Sequence, residues 1–313
     1  MLMSFGFIAI GLVLLVFAGD ALVKGAVSLA LKLGIPALIV SLTVVAFGTS
    51  APELLVAVQS AIEGAPGIAF GNVVGSNTAN VLLVLGIPAL IAVMDPNGSD
   101  TARSYLMMIG VSVFFILLCF LGYFYVWQGV LLLSILTFII WDAIRVGRRQ
   151  NVETDPDDLE GGDIHMSGSK VAMYLAVGLI GLPLGAHFLI VGAVDVAKAW
   201  GLSEAVIGLT IVAIGTSLPE LATTVMATLK RQADVALGNV IGSNLFNILA
   251  IMGAASFFGP LYVPSELIRL DLWVMLLSSL LLIPFVFMGY RFTRTTGVIF
   301  TSLYVAYLAL IVS

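Results

Sequence analysis

The chain has 313 residues, of which 60% are hydrophobic and only 10% are charged, and its mean hydropathy is +1.15. A soluble domain carries charge on about 25% of its residues, so this composition excludes an ordinary soluble protein and predicts an integral membrane protein. The net charge is −5, and the sequence contains no basic patch interleaved with aromatic residues, which excludes a nucleic-acid partner.

Apolar runs long enough to cross a bilayer follow one another along the chain, without the short alternating segments of a transmembrane β-barrel. We therefore predict an all-α membrane protein. The ten transmembrane helices, called spans 1 to 10, are predicted at 4–32, 36–62, 68–94, 104–124, 126–146, 169–199, 203–230, 234–258, 267–288 and 293–312. Span 1 lacks the positively charged start of a signal peptide, so we expect it to be retained.

Spans 2 and 7 contain the same motif, GTSAPE at 48–53 and GTSLPE at 215–220. Spans 3 and 8 share GNVVGSNTAN at 71–80 and GNVIGSNLFN at 238–247, at the same offset (215 − 48 = 238 − 71 = 167). Such a match without gaps indicates a duplicated chain. Because each copy holds five spans, an odd number, the second copy enters the membrane upside down, which is the inverted-repeat plan of secondary transporters.

The duplication divides the chain into a first repeat (1–146), a linker (147–168) and a second repeat (169–313). Most Lys and Arg residues fall on the linker side, which predicts a cytoplasmic linker and both termini outside. We expect the membrane to be a bacterial or archaeal plasma membrane. The linker is acidic, but Leu159 falls at a ligand position of an EF-hand loop. We predict a flexible, solvated linker, with a regulatory ion site as the alternative.

Polar residues at bilayer depth are costly unless they are hydrated, paired or ligated, so they point to function. Glycine and proline are predicted to break spans 2 and 7 at the motifs and to free backbone carbonyls near 46–49 and 213–216. Membrane depth tolerates free carbonyls only around a polar cavity or a bound ion. The predicted site residues are Ala46, Thr49, Ser50, Glu53, Ser76, Asn80, Ala213, Thr216, Ser217, Glu220, Ser243 and Asn247.

All the ligands in this set are oxygens, and two of them are carboxylates, Glu53 and Glu220. Oxygen ligands without His or Cys favour Ca²⁺, Na⁺ or K⁺ over Zn²⁺ or Cu²⁺. Two carboxylates balance one Ca²⁺, and protons or monovalent cations would have to replace that ion when it leaves, which is the logic of an antiporter. A structural role stays open for the serines and asparagines, since these residues also join membrane helices by hydrogen bonds. This structural role is the open alternative for Ser76, Asn77, Ser243 and Asn244. For Asn72 and Asn239, packing or capping is favoured.

Other charged residues lie within the first and sixth spans. Asp20 matches His187 at the repeat offset, and Lys24 and Asp195 lie nearby. The favoured interpretation is that these groups lie near helix ends and reach water or snorkel. A proton or gating role is the alternative.

The paired motifs resemble the two α-repeats of the cation/Ca²⁺ exchanger superfamily, and they are most similar to its Na⁺/Ca²⁺ exchanger branch. The resemblance implies that Glu53, Glu220 and the carbonyls of Thr49 and Thr216 ligate Ca²⁺. It also implies Na⁺ ligands at Ser50, Ser217, Ser76, Ser243, Ala46 and Ala213, and Asn or Asp at the positions of Asn80 and Asn247. In that family the first and sixth helices slide across the core that holds the ions, and the matched glycines of spans 1 and 6 fit such contacts.

The sequence therefore predicts a secondary active antiporter that exports Ca²⁺ in exchange for Na⁺ by alternating access. We expect no cofactor, no enzymatic activity and no partner beyond the bilayer, with the single chain as the functional unit; the sequence has no Walker-type GxxxxGK[ST]. An H⁺-coupled Ca²⁺ antiporter on the same fold is the first alternative, and a cation channel is the second. An intramembrane hydrolase would need a nucleophile with its base or an HExxH motif, and neither is found.

Overall fold

Long apolar segments become helices in lipid because every backbone N–H and C=O must then be paired within the segment. The computed structural model of the protein describes residues 2–95, 99–149, 166–200 and 213–312. The helices, numbered by span, are α1 (Leu2–Leu33), α2a (Ala37–Thr49), α2b (Ala51–Ile62), α3 (Pro66–Ile91), α4 (Ser99–Cys119), α5 (Val126–Arg149), α6 (Gly168–Ala199), α7a (Ala213–Thr216), α7b (Leu218–Leu229), α8 (Ala233–Phe258), α9 (Leu267–Phe287) and α10 (Arg294–Val312).

Eight of the described helices are long and apolar enough to cross a membrane, and the bent pair α2a and α2b makes nine. Span 7 is described only from Ala213 onward, since its predicted first part lies outside the described residues. The fold is that of the predicted ten-helix inverted repeat. At the linker, α5 continues to Arg149 and α6 begins at Gly168, and residues 150–165, which carry the predicted flexible linker, lie outside the described part of the chain.

Helices α3 and α8 form the centre of the molecule. In the most apolar window of α8, 94% of the residues are buried, and in α3 the share is 78%, whereas it is 22–28% in α1, α5, α6 and α10. A helix that is apolar on all sides and enclosed by others belongs to the core, and one with little burial faces lipid. The two central helices are the ones that carry the repeated Ser and Asn residues.

The two repeats are also joined through backbone pairs in their loops. Strand β1 (Tyr123–Phe124) pairs antiparallel with β2 (Leu261–Tyr262). At another point, Met94 and Phe292 exchange two backbone hydrogen bonds of 3.1 and 2.9 Å. Met94 and Leu261 occupy equivalent repeat positions (261 − 94 = 167), so the same loop of each repeat pairs with the other repeat.

Helices α1 and α6 lie antiparallel and in close contact through glycines. A Cβ atom at Gly11 would lie 2.6 Å from the backbone nitrogen of Leu189, and one at Gly192 would lie 2.5 Å from the Ser4 carbonyl oxygen. A Cβ at Gly178 would lie 2.5 Å from that of Leu22. Only residues without a Cβ allow backbones to approach this closely, so the glycines make a close, smooth contact between the two helices.

We expect Gly11→Ala to destabilise the protein and Gly6→Ala, in the same helix, to be neutral or stabilising. The added methyl group meets backbone atoms at Gly11 but nothing within 4 Å at Gly6. Overpacking of this kind costs about 1–3 kcal/mol, and alanine otherwise favours a helix over glycine by ~1 kcal/mol. Thermal unfolding of the two variants in detergent, followed by size-exclusion chromatography, measures the difference. Equal melting temperatures would show that α1 and α6 do not pack as described.

Candidate ion-binding site

Both motif helices are interrupted at the serine that follows the threonine. Ser50 has φ −83° and ψ 9°, Ser217 has φ −85° and ψ 5°, and both lie outside helical geometry. The axes of α2a and α2b differ by 47° across this break. The helices resume at Ala51 and Leu218, one residue before the prolines, so proline occupies a first-turn position where its missing N–H is tolerated.

The carbonyls at the first break are less free than the sequence suggested. The Ala46 carbonyl oxygen accepts the backbone N–H of Ser50 at 3.1 Å and the hydroxyl of Thr49 at 3.3 Å. The prediction of an unpaired Ala46 carbonyl is therefore wrong, because the last turn of α2a closes before the chain bends. Pro52 has no N–H, so the Gly48 carbonyl lacks its usual helical donor four residues on.

In the central helices, the predicted site asparagines begin π-helical turns. Asn80 starts a turn over Asn80–Val84 within α3, and Asn247 starts the equivalent turn over Asn247–Ile251 within α8. A π turn inserts an extra residue and locally re-aims the side chains, and such turns are frequent at functional sites. Both asparagines are buried.

Four asparagines join α3 to α8 through a symmetric set of hydrogen bonds. The side-chain amides of Asn77 and Asn244 each donate to the other's backbone carbonyl, at 3.3 and 3.4 Å. Asn80 Nδ2 donates to Asn244 Oδ1 at 3.0 Å, and Asn247 Nδ2 donates to Asn77 Oδ1 at 2.9 Å. Asn77 and Asn244 are therefore structural, which answers the question that the sequence left open for them.

The two carboxylates come together at the breaks and are almost inaccessible. Glu53 and Glu220 are each 1% exposed, and Glu53 experiences like-charge repulsion from Glu220. Ser50 Oγ donates to Glu220 Oε1 at 3.1 Å, which links the two repeats. Two ionised carboxylates this deeply buried need a counter-charge.

The backbone after each break is held by an asparagine from the neighbouring central helix. Asn72 Nδ2 donates to the Glu53 carbonyl at 3.0 Å, and Asn239 Nδ2 donates to the Glu220 carbonyl at 3.4 Å. These bonds agree with the packing or capping role predicted for both. Asn239 Oδ1 also accepts the Thr49 hydroxyl at 3.3 Å, so it connects the two motif helices.

The main property of the site is an excess of buried oxygen acceptors. Among the described residues, seven buried side-chain oxygens have no hydrogen-bond partner, and six of them belong to the predicted site. They are Glu53 Oε2, Glu220 Oε2, Asn80 Oδ1, Asn247 Oδ1, Ser217 Oγ and Ser243 Oγ, and the seventh is Thr101 Oγ1 in α4. A buried unpaired polar atom costs ~1–3 kcal/mol, and more if it is charged. Carboxylate and amide oxygens cannot pair with one another, so a hard cation is the ligand that fits them.

The remaining predicted residues lie at the breaks in different surroundings. Thr49 is buried and Thr216 is half-buried, and each ends the leading piece of its motif helix. Ser76 is buried, and its carbonyl accepts the N–H of Asn80. Ala213 begins α7a, and its side chain lies outside the described part of the chain.

One polar contact of the site was missed from the sequence. Asn239 Nδ2 also lies 3.2 Å from Thr224 Oγ1, and Thr224 is fully buried in α7b. The repeat comparison could not reveal this threonine, because its counterpart is Ala57 (224 − 57 = 167). The cluster of Thr223, Thr224 and Thr228 in an otherwise apolar helix was the available signal.

Comparison with known proteins assigns the chain to a family. The family described as sodium/calcium exchanger protein matches residues 3–144 and 170–313, which includes both repeats. This chain belongs to the sodium/calcium exchanger protein family. Its sequence is 35% identical to the putative antiporter CaxA of Alkalimonas amylolytica over 100% of both chains. It is 33% identical to the sodium/calcium exchanger MaX1 of Methanosarcina acetivorans over 98% of both.

The structure of this exchanger-family chain also matches that of the sodium–calcium exchanger NCX_Mj soaked with zero Na⁺ and Ca²⁺. The TM-score is 0.85 at 30% identity, over 99% of each chain. The resemblance to the Na⁺/Ca²⁺ exchanger branch is therefore confirmed. Family membership and the structural match together support a cation/Ca²⁺ antiporter embedded in a membrane.

We expect Ser50→Ala to weaken Ca²⁺ binding without unfolding the protein. The substitution removes the hydroxyl that donates to Glu220 Oε1 and so disorders a carboxylate of the site. A hydrogen bond to a charged group contributes about 1.5–3 kcal/mol, so the apparent affinity should fall by roughly tenfold or more. Isothermal titration of Ca²⁺ into the purified protein measures it. Ser134→Ala is the control, since that exposed hydroxyl donates to the Val130 carbonyl of its own helix, away from the motifs; an equal loss in both variants would contradict the site.

Proposed function

We propose that this exchanger moves Ca²⁺ out of the cytosol in exchange for Na⁺ that enters down its gradient, by alternating access. The observation that carries the proposal is the set of six unpaired buried oxygens around two carboxylates at the helix breaks. Oxygen ligands of mixed charge, in a site with only two acids, can hold one divalent cation or a small number of monovalent ones.

The charges explain why exchange is favoured over one-way transport. With the site empty, Glu53 and Glu220 repel each other in a region of low dielectric constant, where like charges interact strongly. One Ca²⁺ neutralises both carboxylates, and Na⁺ ions compete for the same oxygens. Because an empty site with both carboxylates ionised is unfavourable, we expect the protein to change conformation more readily when the site is occupied. Release of one ion is thereby tied to binding of the other.

The comparisons support Na⁺ as the counter-ion and a transporter without a chemical step. MaX1 is named a sodium/calcium exchanger, and NCX_Mj is a sodium–calcium exchanger. The proposal includes a single chain as the functional unit, no cofactor, a bacterial or archaeal plasma membrane, and termini outside with the linker in the cytoplasm. The asymmetric distribution of Lys and Arg supports this orientation.

Na⁺ coupling is tested by ⁴⁵Ca²⁺ uptake into proteoliposomes that contain Na⁺ inside and none outside, with pH clamped on both sides. We expect uptake that disappears when the Na⁺ gradient is collapsed. A pH gradient imposed without Na⁺ is the parallel experiment. Uptake driven by that gradient alone would replace the proposal with H⁺ coupling, and continuous single-channel currents in planar bilayers would replace it with a channel.

We expect Glu53→Gln or Glu220→Gln to abolish Na⁺-driven ⁴⁵Ca²⁺ uptake. Each substitution leaves the shape of the side chain nearly unchanged but removes one of two charges that balance Ca²⁺. Glu266→Gln is the control, since that carboxylate is exposed, lies outside the two motifs and accepts a hydrogen bond from its neighbour Ser265. Uptake at the unmodified rate in both motif variants would rule out this site.

A further inference from the structure

An ion pair connects α1 to the end of the second motif helix. Lys230, which follows the last residue of α7b, places its Nζ 2.7 Å from Asp20 Oδ1. Lys24 Nζ lies 3.0 Å from the other oxygen, Asp20 Oδ2, but it belongs to the same helix as Asp20. The side chain of Lys230 is 15% exposed and that of Asp20 is 30% exposed, so this pair is shielded more than a surface pair. Of the two contacts, only the one with Lys230 holds separate helices together.

Next to this ion pair, α1 packs directly on α7b. A Cβ atom at Gly19 would lie 3.0 Å from Met226 Cγ and 3.2 Å from the Ala222 carbonyl oxygen. Leu218 and Ala222 of α7b also pack against the apolar cluster formed by α1 and α6. Helix α7b, which follows the break at Ser217, is therefore covered by α1. The ion pair lies at the end of the covered surface.

Each residue of this contact has a counterpart in the other repeat, and the signs of the two charges are reversed there. At the offset of 167, Asp20 corresponds to His187, and Lys230 corresponds to Glu63, which follows the last residue of α2b. The covered residues Ala222 and Met226 correspond to Leu55 and Gln59. In the first pair the acid lies on the long helix α1 and the base follows the motif helix α7b. In the second pair the base lies on the long helix α6 and the acid follows the motif helix α2b.

On this second side the contact is not made. His187 and Glu63 are both exposed, and the described residues hold no ion pair between them. Glu63 Oε1 instead accepts the Gln59 side-chain amide at 2.6 Å within its own helix. Leu55 is 71% exposed, although its counterpart Ala222 is packed under α1. The sequence repeats are equivalent, but one side is closed and the other is open.

We propose that Asp20–Lys230 and His187–Glu63 are two alternating latches, each of which closes one side of the transporter. In an inverted-repeat protein, the alternative state is obtained when each repeat takes the conformation of the other. The pair that is formed here would then break, while the imidazole of His187 meets the carboxylate of Glu63. The proposal rests on the alternating access of the proposed function, but it assigns residues that do not touch the ion site.

The test reads the accessibility of two cysteines, one on each side, in a background with the buried Cys119 replaced by Ala. Met226→Cys reports the closed side, and its repeat counterpart Gln59→Cys reports the open side. Labelling rates with a charged thiol reagent are measured in detergent micelles, where both sides are reachable. In the parent we expect Gln59→Cys to react faster than Met226→Cys.

We expect Asp20→Asn or Lys230→Met to speed labelling of Met226→Cys and to slow labelling of Gln59→Cys. The ratio of the two rates should change by about fivefold, since a shielded pair contributes ~1 kcal/mol. General loosening or misfolding would speed both, so changes in opposite directions identify a shift between states. Lys24→Met is the matched control, because it removes a cation next to Asp20 without untying the helices, and it should leave both rates near those of the parent.

The charge-swapped double variant Asp20→Lys with Lys230→Asp should return both rates toward the parent values. The latch is overturned if the single variants leave both rates unchanged, if both rates rise together and the swap fails to restore them, or if Lys24→Met produces the same shift. The readout involves neither Na⁺ nor Ca²⁺ flux, so a failure of Na⁺ coupling would leave this result unaffected.

Discussion

The structure depends on one constraint: polar atoms buried in a membrane protein must be paired. At the centre of this molecule the described residues offer more acceptor oxygens than donors, and two of these oxygens belong to the carboxylates of Glu53 and Glu220. Protein groups alone do not satisfy them. A cation does, because it serves several acceptors at once and supplies the missing charge.

The hydrogen bonds around the centre show why these oxygens remain available. The side-chain amides of Asn77, Asn80, Asn244 and Asn247 all donate between α3 and α8, and those of Asn72 and Asn239 hold the backbone after the breaks. The side-chain oxygens of the four central asparagines differ in whether they remain available as ion ligands. Asn80 and Asn247 keep theirs, whereas Asn77 and Asn244 use theirs to fix the helices. The same residue type therefore has two roles within one hydrogen-bond network.

The fold class could be predicted from the sequence, because hydropathy and the gapless internal match can be read without knowing any contact between helices. The sequence was insufficient for the detailed backbone geometry within the helices and for contacts between them. The Ala46 carbonyl is paired by the closing turn of α2a, the π turns begin at Asn80 and Asn247, and Thr224 joins the network without a repeat counterpart. The first two depend on local geometry that glycine and proline permit but do not specify. The third depends on which face of α7b meets α8.

A duplicated sequence also could not reveal that the two halves would differ. Ser50 donates to Glu220, whereas the equivalent Ser217 hydroxyl has no hydrogen-bond partner among the described residues, so the asymmetry reaches the ion site. The two halves also differ at the ends of the motif helices. Helix α1 packs against α7b and forms an ion pair with Lys230, whereas the equivalent surface of α2b is exposed. Because both repeats carry the same motifs, the exchanged arrangement is chemically available to the same chain. In a protein with two such arrangements, an ion that binds one of them better shifts the balance toward it.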